Sequence, residues 1–129
     1  METRVGSCHC GAVVFEVELA DGFENLRRCN CSLCRRKGAV MASVPIERLR
    51  IVQGEDKLTV YQWNTRQARH YFCSVCGIYT HHRRRSKPTE YGFNVACIEG
   101  VDPCSLGPVA IGDGAAQSLV GRAASGDGA

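Results

Sequence analysis

Three thiols stand within six residues in Cys29-Asn30-Cys31-Ser32-Leu33-Cys34, with Arg27 and Arg28 before them and Arg35, Arg36 and Lys37 after. A triplet this tight can hold zinc from three directions and leave the fourth tetrahedral position for another residue, a water or a substrate. Three protein ligands with one open position is the usual form of a catalytic zinc site. Two doublets accompany the triplet: Cys8 with Cys10, and Cys73 with Cys76 in the knuckle Cys73-Ser74-Val75-Cys76-Gly77. Joined, the doublets supply the four sulfurs of a closed structural site, whose ion would hold the fold together. Any partition that completes the triplet from a doublet strands a thiol. Ligand counting therefore favours one four-cysteine site and one three-cysteine site. Two alternatives stay open. Cys97, Cys104 or a histidine closes the triplet into a second structural site, or the triplet is metal-free and redox-active, its thiol pKa lowered by the arginines.

The chain has nine cysteines in 129 residues, an odd number that fits poorly with a closed disulfide framework. The Cys-x-Cys and Cys-x-x-Cys spacings bring neighbouring sulfurs to one point, which suits a metal better than a long-range crosslink. Zinc suits an all-thiolate set with no redox requirement, and iron–sulfur ligation uses the same ligand type. Two zinc ions per chain are expected. No signal peptide or apolar run of bilayer length is visible, so a cytoplasmic protein with no membrane partner is expected. The net charge of +3 does not by itself call for nucleic acid.

The segments that must position these thiols are short and rich in β-formers. Val13, Phe15, Val17 and Leu19 alternate with Glu16 and Glu18, a strand that follows the first doublet. Gly11 is expected to supply a tight backbone there that turns amides toward the sulfurs. Ala39 to Val44 reads as a buried strand ended by Pro45, Glu47 to Leu49 as one helical turn, and Arg50 to Val52 as a strand. Leu58 to Trp63 reads as a strand turned back at Asn64-Thr65, and Arg69 to Phe72 as the strand that delivers Cys73. Ile78 to His82 is the outgoing strand of the knuckle, and Tyr91, Phe93, Val95 and Cys97 share one face of another. One mainly β domain over residues 1–110 is expected. A flexible Gly/Ala-rich tail is expected over 111–129, frayed or disordered from Ala115 to Ala129.

Gly6-Ser7-Cys8-His9-Cys10-Gly11-Ala12-Val13, the triplet with Arg35, and Phe72-Cys73-Ser74-Val75-Cys76-Gly77 match one known pattern in order and spacing. Over residues 6 to 100 the chain resembles the glutathione-dependent formaldehyde-activating enzyme family, which includes the centromere protein V group. The resemblance implies an Mss4-like β-fold with two zinc sites. It implies a structural zinc on Cys8, Cys10, Cys73 and Cys76 and a catalytic zinc on Cys29, Cys31 and Cys34. The implied activity is condensation of formaldehyde with glutathione to S-hydroxymethylglutathione, a carbon–sulfur lyase reaction in reverse. Asn30 stands where many members carry histidine, Ile78 to His82 replace the small residue and proline often found after the knuckle, and no glutathione-binding residue can be matched.

The five basic residues around the triplet can offset thiolate charge and attract the carboxylates of a glutathione-like thiol, or form a solvated rim. His81 and His82 alternate on one strand, so only one is expected to face inward. His9 is expected to point away from the metal, Cys97 to be a buried small hydrophobe and Cys104 a loop thiol. Arg83-Arg84-Arg85 reads as a solvated loop rather than a nucleic-acid platform. A binding module without catalysis and a thiol redox enzyme stand as the rival functions.

Overall fold

The computed structural model describes residues 1–63 and 66–112. Among these the chain forms ten strands in two sheets and one short helix. The smaller sheet has the order β1-β2-β5, built from Glu2–Ser7, Val14–Leu19 and Leu49–Gln53. The larger runs β10-β3-β4-β9-β8-β7-β6, from Ala110–Gly112, Glu24–Cys29, Met41–Pro45, Glu90–Asn94, Tyr79–Arg83, Arg69–Cys73 and Leu58–Tyr61. Neighbours are antiparallel except β10, which lies parallel to β3.

Alternation in β2 decides how the sheets meet. Phe15, Val17 and Leu19 are buried on one face, while Glu16 pairs with Arg50 on the other. The buried face packs against Ala42 and Val44 of β4 and Phe93 of β9, with Val95, Cys97 and Ile98 completing the core. Burying side chains of this size is worth about 1.5–3 kcal/mol each, so this sandwich carries most of the hydrophobic stabilisation.

The larger sheet is covered on its second face as well, which corrects the expectation for the two histidines. His81 and His82 are both buried, at 2% and 1% exposure. His81 points into the core, where it stacks on Tyr71 and meets Phe15 and Tyr91. His82 points the other way and stacks on His70 and Tyr79, which also touch each other. Burial holds His81 down to a pKa of about 3, and burial followed by the nearby Lys37 charge does the same for His70. Both are neutral rings at neutral pH.

Gly92 lies opposite His82 in the ladder. A Cβ there would stand 2.5 Å from His82 Cε1 and 3.0 Å from Arg27 Nη2. Because His82 is buried and packed against both His70 and Tyr79, Gly92→Ala is expected to destabilise the fold by about 1–3 kcal/mol, the usual range for overpacking. Urea denaturation would read this as a lower midpoint at unchanged slope.

The boundaries of β9, β6 and β10 differ from the expected ones in ways that bear on the site. β9 stops at Asn94, whose side chain accepts from the Ala96 amide at 3.1 Å and starts a 3₁₀ turn over Val95–Cys97. β6 ends at Tyr61, and the expected turn at 64–65 lies outside the described residues. β10 crosses the expected boundary after residue 110, and the rest of the expected tail, including 115–129, lies outside the described residues.

Candidate metal centres

Cys8 follows β1 and Cys10 stands in the loop before β2, while Cys73 ends β7 and Cys76 closes the turn into β8. Their four sulfurs lie within 4.8 Å of one another. Cys8 Sγ is 3.6 Å from Cys10 Sγ, which is 3.7 Å from Cys73 Sγ. Tetrahedral zinc with Zn–S near 2.3 Å needs sulfurs about 3.8 Å apart, so the donors fit that ion. The backbone is shaped to the same end. The Val13 amide donates to Cys8 Sγ and the Val75 amide to Cys73 Sγ, each at 3.3 Å. Backbone amides around Cys10 and Ile78 bring the Cys76 thiol down to about 6. Gly11 and Gly77 take the positive φ that these turns need. Gly54 has the same conformation, and a Cβ on it would run into the Ala12 carbonyl. Only glycine lets the loop after β5 support the segment that carries the first doublet.

Cys29 ends β3, Cys31 lies in the following turn and Cys34 opens α1, Cys34–Lys37. Their sulfurs form a second group within 4.8 Å, and among the described residues no fourth histidine, cysteine or carboxylate joins it. Cys97 is buried in the core, Cys104 is exposed in a turn, and His9 is exposed and in neither group. Cys31 is fully buried, and its sulfur accepts from the Cys34 amide at 3.3 Å. The Cys31 amide faces Cys29 Sγ at 3.5 Å. β10 pins the turn from outside through the Asn30 amide, which donates to Gly112 O at 3.1 Å. Hydrogen bonds to Cys29 and Cys31, then burial, push the Cys34 thiol upward, because they favour its protonated form. A divalent cation among the three would invert that preference.

The five flanking cations divide. Arg28, Arg35 and Arg36 are exposed. Arg28 donates to Gly38 O and Arg36 to Ser32 O, so both tie down the triplet's backbone. Arg27 is buried beneath the sheet, where it donates to Asn25 O and Ser43 Oγ. The Lys37 ammonium is buried 3.5 Å from the centre of the Tyr79 ring; burial lowers its pKa, and the charges of Cys34, Cys31 and Cys29 oppose that shift. A cavity of about 290 Å³ opens beside the triplet, lined by Leu33, Lys37, Tyr61, His70, Phe72, Gly77 and Tyr79. Sequence reading missed this cavity. Its one advance signal is the alternation of His70 and Phe72 on the strand that delivers Cys73.

In the 83–85 loop, Arg84 pairs with Glu90 and Arg83 donates to Pro88 O. These two arginines hold the loop's own shape, as a structural loop requires.

The family model described as glutathione-dependent formaldehyde-activating enzyme matches residues 3–110. The chain belongs to that family. A Halomonas elongata relative with the provisional name glutathione-dependent formaldehyde-activating enzyme is 35% identical, over 55% of this chain and 50% of the relative. The chain thus spans about half the length of the curated relative it matches. A crystal structure of a Rhodobacter sphaeroides protein, solved as a structural-genomics target, is 58% identical with a TM-score of 0.80. The match covers 83% of this chain and 98% of that one. The mainly β architecture of this glutathione-dependent formaldehyde-activating family member is as expected from its sequence. Among the described residues no helix is long and apolar enough to cross a membrane.

Proposed function

We propose that this chain condenses the thiol of glutathione, or a related thiol, with a small aldehyde, using Cys29, Cys31 and Cys34 to hold a catalytic zinc. On this reading Cys8, Cys10, Cys73 and Cys76 hold a second, structural zinc, giving two ions per chain. The observation that carries it is the inequality of the two clusters: four sulfurs close one group, while three sulfurs beside a cavity leave the other with an unfilled position. Bound by the triplet, zinc would supply a Lewis acid with room for one further ligand, able to stabilise a thiolate or polarise a carbonyl.

The chain's residues supply the rest. The three cysteines fix the position of the reacting groups, and the Lys37 ammonium offsets negative charge gathered there. The exposed Arg35 stands at the rim, where a thiol carrying carboxylates would approach. In the reaction the thiol loses its proton and a carbon–sulfur bond forms. The carbonyl π pair moves to oxygen, which takes up a proton to give the hydroxyl. No oxidant or reductant is needed. A cytoplasmic setting, where glutathione is plentiful, accords with thiols kept reduced.

The test is exchange spectroscopy on glutathione and formaldehyde at equilibrium. The zinc-loaded protein is expected to speed interconversion of free thiol and S-hydroxymethyl adduct without shifting their ratio. Exchange at the uncatalysed rate, with two zinc ions bound, would leave the binding-module reading in its place.

A further inference from the structure

The cavity beside the triplet does not match either partner of that reaction. Formaldehyde is scarcely larger than a water, whose share of the liquid is ~30 Å³, yet the cavity holds about 290 Å³. Glutathione is long and carries two carboxylates, yet the walls are mainly Leu33, Tyr61, Phe72 and Tyr79. The one cation in the wall, Lys37, already lies against the Tyr79 ring and among the triplet's thiols. A space of this size and lining suits an apolar group of several carbons.

One polar atom marks where such a group is attached. His70 is 2% exposed, forms part of the wall, and its Nε2 has no hydrogen-bond partner among the described residues. Its Nδ1 lies 3.3 Å from the Tyr79 hydroxyl. The phenol can donate to Nδ1 or accept from it, so Nε2 is left unmet as a donor in one imidazole tautomer and as an acceptor in the other. An unmet buried polar atom costs about 1–3 kcal/mol, and a hydroxyl oxygen, which donates as well as accepts, would satisfy it in either tautomer. In a thiol–aldehyde adduct that oxygen sits on the aldehyde-derived carbon, the carbon that also carries the aldehyde's substituent.

We infer that the cavity receives the apolar substituent of an aldehyde larger than formaldehyde, with His70 Nε2 hydrogen-bonded to the oxygen on the aldehyde-derived carbon. The inference rests on the condensation reading and narrows its substrate class: an aldehyde bearing an aryl or alkyl group of about five to eight carbons, a size set by the cavity volume. Phenylacetaldehyde represents the class, and 2-phenylethanol is its unreactive mimic.

Two measurements on the zinc-loaded chain test it. With glutathione as the thiol, kcat/KM for phenylacetaldehyde, corrected for uncatalysed reactivity, is expected to exceed that for formaldehyde by about tenfold or more, since one methylene in an apolar pocket is worth 10–200-fold. His70→Phe keeps the ring's bulk and removes that hydrogen bond. It is expected to lower kcat for phenylacetaldehyde by about tenfold while changing KM far less. In the second measurement, 2-phenylethanol is titrated and the side-chain resonances of His70 and Phe72 are followed, with saturable shifts expected at both. If formaldehyde reacts as fast as phenylacetaldehyde and the mimic moves neither residue, the inference is overturned and the condensation reading stands. If 2-phenylethanethiol with formaldehyde shows the gain instead, the cavity serves the thiol and the assignment to the aldehyde is wrong. If no aldehyde reacts, the condensation reading falls, and the titration still decides whether the cavity takes an apolar ligand.

Discussion

Cys31→Ser is expected to slow thiol–aldehyde condensation by about 10³-fold or more, with the fold kept and bound zinc falling from two ions per chain to one. Cys31 is the central member of the triplet and is fully buried. Its sulfur accepts the Cys34 amide, and its carbonyl accepts the Arg35 amide that starts α1. Serine retains the second bond and nearly the same volume, so the turn should still form. A neutral hydroxyl does not replace a thiolate as a zinc ligand, and two remaining cysteines do not make a tight site. The four-cysteine group draws on other segments, so its ion should stay. A 10³-fold loss corresponds to about 4 kcal/mol of transition-state stabilisation at 1.36 kcal/mol per decade. Exchange rates, zinc stoichiometry and a urea midpoint on one preparation check all three parts. Retention of more than about a tenth of the rate, a loss under 1.4 kcal/mol, would take the triplet out of the chemistry.

What the sequence makes legible here follows from how local each feature is. Cysteine spacing is local, and both sulfur groups converge as ligand counting requires. The alternation from Val13 to Leu19 is equally local, and β2 begins within a residue of it. β1 and β3 were not foreseen because Glu2, Arg4, Glu24, Arg27 and Arg28 interrupt any apolar alternation. Only pairing with β2 and with β4 makes strands of them. The two histidines show the same limit. Alternation correctly sends His81 and His82 to opposite faces, but it carries no information on whether the second face is covered. The cavity is less legible still, since its walls come from α1 and its cap, β6, β7, the knuckle and β8, and only the folded topology brings these together.

Cys73→Ser should have the largest effect on stability, about 4–5 kcal/mol or more, the range reached when a protein loses a structural metal site. The four-cysteine group joins the β1–β2 connection to the β7–β8 turn, and so clamps one end of the sandwich. Around it, among the described residues, only Val13, with the partly buried Ala12 and Leu58, adds apolar packing. Cys10 and Cys73 are separated by 63 positions, so an ion held by the proposed site would restrain a long loop whose closure is otherwise entropically opposed. At the other end, Phe15, Val17, Ala42, Val44 and Phe93 remain packed without it. The loss should therefore begin at the clamp. Amide exchange is expected to accelerate first at Val13 and Val75, whose N–H groups donate to Cys8 and Cys73 sulfurs, before it reaches Val17 or Phe93. A chelator acting on the wild type should reproduce that order. Val75→Ala serves as a control, because the side chain is 64% exposed and surface changes usually stay within about 0.5 kcal/mol. Uniform exchange along the chain, or a midpoint unmoved by Cys73→Ser, would mean that the core holds this end closed and that the four sulfurs contribute no clamp.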